Sequence, residues 1–118
     1  MVEILLGTSG WSYDDWVGPF YPSGKVNKLS FYSKIFKTVE IDSTFYSYPT
    51  KGLAFGWLKY TQPHFIFSAK LPSVITHEKK LKLDQGVSED LDRFLDLMQP
   101  LKSRGKLGPL LIQLPPSF

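Results

Sequence analysis

The chain is predicted to be an α/β protein with parallel strands, and three observations predict it. Four short apolar or β-branched runs are separated by stretches in which apolar residues recur at helical spacing. Each run is followed by a segment of glycine, proline or hydroxyl residues that cannot prolong it. No internal repeat, heptad or low-complexity tract competes with that alternation. A β-α-β-α-β-α-β order with helices of about 10 to 15 residues implies parallel pairing through right-handed crossovers, either in an open α/β sheet or in part of a (β/α)8 barrel.

Taken in order, Glu3 to Leu6 reads as a first strand ended by Gly7 and Gly10, and Gly18, Pro19, Pro22 and Gly24 make the next segment a long loop. Asn27 is a good N-cap, and Leu29, Tyr32, Ile35 and Phe36 keep helical spacing after it, which predicts a first helix. Thr38 to Asp42 alternates and is β-branched, so it is the second strand. Leu53, Trp57, Leu58 and Tyr60, closed by Pro63, outline a second helix, and Phe65 to Lys70 a third strand. A third helix is expected from Ser88 to Leu101, with Ser88 as N-cap and Glu89, Asp90 and Asp92 favoured by the positive end of the helix dipole. Leu91, Phe94, Leu95 and Met98 are its expected buried stripe. Gly105 and Gly108 then interrupt, and Leu110 to Leu114 is the fourth strand, stopped by Pro115 and Pro116.

Composition bounds the class of protein. At 118 residues the chain has the size of a single domain, 1–118, with enough core to need neither disulfides nor a structural metal. Hydrophobic residues at 42% and charged residues at 21% are ordinary for a globular protein, which argues against disorder. The absence of cysteine excludes a disulfide scaffold, thiolate metal sites and a cysteine nucleophile, and makes the cytoplasm the expected compartment. Glu3 inside the first apolar run and the lack of a basic segment before it argue against a signal peptide. No apolar stretch approaches the ~20 residues that cross a bilayer, so no membrane partner is expected. A net charge of +3 tilts the chain towards anionic partners, although its lysines, including Lys79, Lys80 and Lys82, read first as a solvated surface.

Strand parity points to a site. Thr38, Glu40 and Asp42 share one face of the second strand, and Val39 and Ile41 the other. In the third strand Ile66, Ser68 and Lys70 oppose the apolar face of Phe65, Phe67 and Ala69, and in the fourth Gln113 opposes Leu110, Ile112 and Leu114. Strands covered by helices are normally apolar throughout, and a charge among them costs several kcal/mol on the order given for buried ions unless it is paired or wet. A polar residue near the C-terminal end of each strand therefore marks a ligand site where parallel α/β folds usually place one. The competing structural explanation is a buried Glu40–Lys70 ion pair, since neighbouring strands lie ~4.8 Å apart.

The loops add candidates. Thr8, Ser9, Trp11, Ser12, Tyr13 and Trp16 follow the first strand and suit stacking on a flat ring or sugar face, or else plug the rim. His77, seven residues after Lys70, is placed to act as acid, base or anion donor, or to sit on the surface. Gly7-Thr8-Ser9-Gly10 lacks the spacing of a dinucleotide fingerprint and the lysine of a P-loop, so no cofactor is named by a motif. His64 and His77 form no metal pattern, Asp14 and Asp15 point apart, and Ser9 and Ser43 lack a nucleophile-elbow context.

Four ordered motifs, GTSGWSYDDWVGPFYP at Gly7 to Pro22, VEIDSTFYSYP at Val39 to Pro49, FSAKLPSVITH at Phe67 to His77 and LGPLLIQLPPSF at the end, together resemble the DUF72 (YecE-like) proteins. The resemblance covers nearly the whole chain and implies a (β/α)8 TIM-barrel-like fold of which about the first four β/α units are present, a half barrel truncated relative to the family. The family has no established activity, so what the resemblance implies about function stops at the position of a site. It implies Ser9, Trp11 and Tyr13 from the first motif as pocket residues, Glu40, Thr44, Phe45 and Tyr46 from the second, Lys70 and His77 from the third, and Gln113 from the fourth. Asp42 departs from it, standing where the family usually has asparagine, and adds a carboxyl beside Glu40 that is able to raise one pKa or simply to accept a hydrogen bond in the turn.

The expected function is a site for a small polar or anionic ligand, with Glu40, Lys70 and His77 as candidate catalytic residues and Ser9, Trp11, Tyr13, Asp42, Thr44, Tyr46 and Gln113 as ligand-binding residues, without a metal. Non-enzymatic binding of nucleic acid or another anion through lysines and loop aromatics is the alternative, and an inactive fragment a third. Because half a barrel leaves two open edges and a bare face, self-association or a complementary C-terminal half is the expected partner.

Overall fold

A computed structural model describes residues 2–118 of the chain. Four strands, β1 (Gly7–Ser9), β2 (Thr38–Ile41), β3 (Ile66–Lys70) and β4 (Leu107–Leu111), form one sheet in the order β1-β2-β3-β4 with every pair parallel. Between them run the helices α1 (Lys28–Ile35), α2 (Ser43–Tyr46), α3 (Lys51–Lys59) and α4 (Val87–Ser103). The segment after β3 is not a plain loop but holds a π-helical turn at Val74–Glu78 and a 3-10 turn at Leu83–Gln85.

Helices α1, α3 and α4 pack on one face of the sheet. Val39 and Ile41 of β2 and Phe67 and Ala69 of β3 are buried in one cluster with Leu29 and Tyr32 of α1, Ala54 and Trp57 of α3, and Phe94, Met98 and Leu101 of α4. On the other face Thr38, Glu40, Ile66, Ser68 and Lys70 are half-buried. Sequential strand order with helices on a single side is the arrangement of consecutive units of a (β/α)8 barrel and not of a doubly wound sheet, which has helices on both faces.

Local chemistry explains most boundaries. Asn27 caps α1 as expected, its side chain accepting from Ser30 N at 2.8 Å, and Thr50 does the same for α3 from Leu53 N at 3.1 Å. The buried Tyr32 hydroxyl receives Thr8 N at 2.7 Å and donates to Thr38 O at 3.0 Å, so helix α1 fixes the seam between β1 and β2.

The structure corrects four expectations. Glu3 to Leu6 is not a strand: β2 starts at Thr38, which lies opposite Gly7, so residues before Gly7 have nothing to pair with. Gly7 belongs to the strand, because a Cβ there would lie 1.9 Å from Thr38 O. The fourth strand starts at Leu107, three residues earlier than expected, with Gly108 inside it against the Ile66 side chain and Pro109 tolerated on an edge strand. An irregularity between Phe67 and Ala69 lets both Leu107 and Leu110 pack on the core and puts Leu111 opposite Lys70.

The other two corrections concern α4. Ser88 is not its N-cap; Gly86 is, at φ +79°, because Val87 is already buried in the core and sets the start of the helix. Leu95 is 40% exposed and lies outside the stripe, since Val87, Leu91, Phe94, Met98 and Leu101 keep the 3-and-4 spacing that faces the sheet and Leu95 falls one position past it. Among the described residues no helix is long and apolar enough to cross a membrane.

Candidate functional site

The site grows from one row of the sheet. Ser9 of β1 is the register partner of Glu40 in β2, and Glu40 that of Ser68 in β3, so the three share the uncovered face. Asp42 follows β2 by one residue and Lys70 ends β3, which places both at the C-terminal rim above that row. The parity expected of these strands holds, and it brings Glu40, Asp42 and Lys70 together.

Asp42 is the hub. Its backbone oxygen accepts from Phe45 N at 3.0 Å and opens α2, while its side chain makes no capping bond and turns to the rim. There Oδ2 accepts a hydrogen bond from Ser9 Oγ, and Oδ1 lies 3.6 Å from Lys70 Nζ. The competing structural explanation, a Glu40–Lys70 ion pair, is not seen among the described residues, where Lys70 pairs with Asp42 instead. The Lys70 ammonium also lies 5.8 Å from the centroid of the Phe45 ring, which His77 meets edge-on at 5.0 Å. His77 Nδ1 is 2.8 Å from Thr76 Oγ1, a contact that holds its ring beside Phe45.

The two carboxyl groups are driven apart in charge. Burial, then the hydrogen bond with Asp42 and its negative charge, raise the Glu40 pKa, and Lys70 offsets only part of this. Burial pushes Asp42 up as well, but hydrogen bonds from Ser9 and Glu40 together with Lys70 outweigh it and leave Asp42 below its ordinary value. Their environments therefore leave the two neighbouring carboxyls unequally ready to give up a proton.

The remaining predicted residues divide. Thr44 is 1% exposed, and its hydroxyl is within hydrogen-bond reach of Ile41 O at 3.1 Å and Lys70 O at 2.7 Å, so it ties α2 to the end of β3. Trp11 turns inward, edge-on to Trp57 at 6.4 Å and to Phe67 at 6.5 Å, which favours the rim-plug reading for its ring. It still borders a hollow of about 190 Å³ shared with Gly10, Tyr13, Ile41, Asp42 and Ser43. Tyr13 stands at that hollow with its hydroxyl donating to Ser9 O at 2.6 Å, and Tyr46 is 81% exposed beside Phe45. Gln113 lies two residues beyond β4, exposed, because the strand starts early; the structure does not bring it to the cluster.

On the other side of Asp42, a hollow of about 290 Å³ over the bare sheet is lined by Ser9, Thr38, Glu40 and Ser68. Asp42 lines the first hollow and Ser9 the second, and the two side chains are joined by a hydrogen bond. Ser68 and Thr76 were not singled out as site residues; parity places the first beside Glu40, whereas nothing in the sequence links the second to the His77 ring. Larger hollows between α1 and α3 and at the N-terminal ends of the strands hold no pair of carboxyl groups. Among the described residues no cluster of three His, Cys, Asp or Glu side chains is arranged to hold a metal.

Comparison with known proteins agrees with this geometry in fold. The chain is 32% identical over 116 residues to the UPF0759 protein YecE of Escherichia coli and 29% identical to the UPF0759 protein YunF of Bacillus subtilis. These alignments take in 98% of the chain but only 39% and 41% of the relatives, so it spans about two fifths of the curated proteins it matches. Crystal structures of DUF72 family proteins superpose on it: one from Thermotoga maritima with TM-score 0.73 and 31% identity, over 94% of this chain and 44% of that one. Another, from Enterococcus faecalis, gives TM-score 0.77 and 27% identity over 98% of this chain and 41% of that one. The family model described as "Protein of unknown function DUF72" matches residues 5–118, and with these relatives it shows that the chain belongs to the DUF72 family.

Proposed function

We propose that the chain carries part of a site for a small polar or anionic ligand at the C-terminal rim of its sheet, with acid–base chemistry in which Glu40 gives the proton and Asp42 is the fixed anion. The split between two carboxyl groups on one strand face carries this reading. Glu40, kept protonated to higher pH than an ordinary glutamate, donates to an oxygen of a ligand lying over Ser68 and Thr38. Lys70 exchanges its 3.6 Å contact with Asp42 for the ligand's negative charge, and the ring of Phe45 keeps that ammonium near the rim. Ser9 holds Asp42 in place while Lys70 is engaged.

The test is an NMR titration of the chain with a panel of small hydroxy acids and sugar phosphates. The expected result is shifts confined to the amides of Ser9, Glu40, Asp42 and Lys70, which disappear in Glu40→Gln and Lys70→Ala proteins with dispersed spectra. Unfolding of both variants, or shifts mapping to the helices, would instead make the cluster a structural ion network.

One observation favours a second reading, binding of single-stranded nucleic acid without catalysis: Tyr46 is 81% exposed against Phe45, whose ring also has the Lys70 ammonium 5.8 Å from its centroid. Affinity for oligonucleotides that falls steeply with salt and depends on Tyr46 and Lys70 supports it; salt-insensitive or absent binding rejects it.

A further inference from the structure

We propose that the hollow between α1 and α3 is a ligand site separate from the rim, and that it takes a small, flat aromatic carboxylate. The proposal is independent of the rim reading, because Glu40, Asp42 and Lys70 have no part in these walls.

The hollow holds about 440 Å³, within the ~300–1,000 Å³ usual for small-molecule sites. Its walls come from successive helices, α1 between β1 and β2 and α3 between β2 and β3, together with Trp11 of the loop after β1. No strand residue lines it, so it does not depend on what lies beside β1 or β4.

Glycine makes the space. Gly52 and Gly56 stand four residues apart on α3 and so share a face. Glycine is the poorest helix former after proline, and packing within the chain does not ask for it here: a Cβ at Gly56 would meet no atom within 4 Å, and one at Gly52 only Thr50 Oγ1 at 3.8 Å. Helix α3 therefore gives up stability for open room against its backbone. Tyr60, one turn further along the same face, adds a ring that is 40% exposed, and Trp11 and Trp57 add two more. Such walls suit a flat ring.

The polar groups of the walls say what that ring carries. Trp57 is 6% exposed, yet no described residue accepts its indole N–H, and the nitrogen is not sealed from solvent. The open space that Trp57 borders is this hollow, so the N–H is a donor waiting there for an acceptor. At the start of α1 the amides of Lys28 and Leu29 also lack an acceptor among the described residues, since Asn27 spends its side-chain oxygen on Ser30 N. The Lys28 side chain is 18% exposed, and its ammonium lies 2.8 Å from Oδ1 of Asp14, whose own side chain is 98% exposed. A partner carboxylate that already stands in water gives way to a ligand's at little cost. No Asp or Glu lines the hollow, and a second ammonium, Lys59 Nζ, stands 5.3 Å from the centroid of the Tyr60 ring. Donors and positive charge without an acidic neighbour select an anion.

NMR titration of the 118-residue chain with benzoate and indole carboxylate, and with benzamide as the uncharged control, tests this. Both acids are expected to shift the Trp57 indole N–H and the amides of Lys28, Leu29, Gly52 and Gly56, and to leave Ser9, Glu40 and Lys70 in place. Benzamide is expected to bind about tenfold more weakly. Gly56→Leu, which puts a side chain into the hollow and a better helix former into α3, should abolish the shifts while raising the melting temperature. Lys28→Met should bring benzoate down to the affinity of benzamide. The wild-type titration decides the matter even if a variant fails to fold. Equal binding of benzoate and benzamide overturns the proposal, as do shifts confined to the rim, binding that survives Gly56→Leu, and the absence of shifts with either acid.

Discussion

Lys70 pairs with Asp42, its Nζ 3.6 Å from Oδ1, and Glu40, two residues earlier on the same face, has no direct ion pair among the described residues. Lysine at the end of β3 therefore helps to lower the pKa of one carboxyl, and the charge on that carboxyl helps to raise the pKa of the other.

Replacing Asp42 by Asn tests this relation directly. The change removes the negative charge that raises Glu40 and alters the hydrogen bond between them. The Glu40 midpoint, followed by NMR of its side-chain carboxyl, should fall in Asp42→Asn while staying above its ordinary value through burial. An unchanged midpoint would mean that burial alone sets it.

The pair also shapes stability against pH. Glu40 has a raised folded value, so its contribution is full below the ordinary 4.5 and is lost as pH climbs through the raised value. Asp42 has a lowered folded value, so its contribution is full above the ordinary 3.8 and is lost as pH falls through the lowered value. Glu40→Gln removes only the first loss. Its melting temperature relative to wild type should therefore rise between pH 4 and pH 8, by about a few degrees. A difference that is flat over this range would contradict the raised pKa.

Thr44 should behave as a positioning residue. Its buried hydroxyl serves Ile41 O and Lys70 O, and Thr44→Val leaves these carbonyls without it, at a cost of about 1–3 kcal/mol in urea unfolding. Thr44→Ser should recover most of that loss. A ligand-binding role would instead show as weakened binding at unchanged stability.

Gly7→Ala places a methyl group 1.9 Å from Thr38 O, so β1 must move off β2. Destabilisation of about 1–3 kcal/mol is expected, with faster hydrogen exchange at Gly10, whose amide donates to Glu40 O at 2.9 Å. Near-wild-type stability would show that β1 is already loosely held.

These residues also show how far the sequence could be read. Alternation along β2 and β3 was enough to assign Glu40, Asp42 and Lys70 to one face, because parity is a property of the strand itself. Gly7 and Gly108 looked like strand ends because glycine usually breaks regular structure; each is instead a place where another strand's backbone or side chain comes too close for a Cβ, a distance that exists only between strands. The same limit misplaced Gln113, since the irregularity opposite Phe67 and Ala69 moves β4 earlier and depends on pairing with β3. The bond from Ser9 to Asp42 spans 33 residues, and no local pattern encodes it.

The perpendicular contact of Trp11 with Trp57, at 6.4 Å, gives the molecule its own optical gauge. Trp11 comes from the loop that borders the Asp42 hollow, while Trp57 is anchored in the core, and the third tryptophan, Trp16, belongs to a separate aromatic group with Phe20 and Tyr21. Two indoles so close couple their electronic transitions, and the strength of the resulting near-ultraviolet circular dichroism depends on their mutual angle. Any occupant that shifts the loop at Gly10 to Tyr13 changes that angle, and also disturbs Trp16, whose ring lies 4.8 Å from that of Tyr13. Arrivals at the rim can thus be followed by absorption of circularly polarised light, with no label attached to the chain.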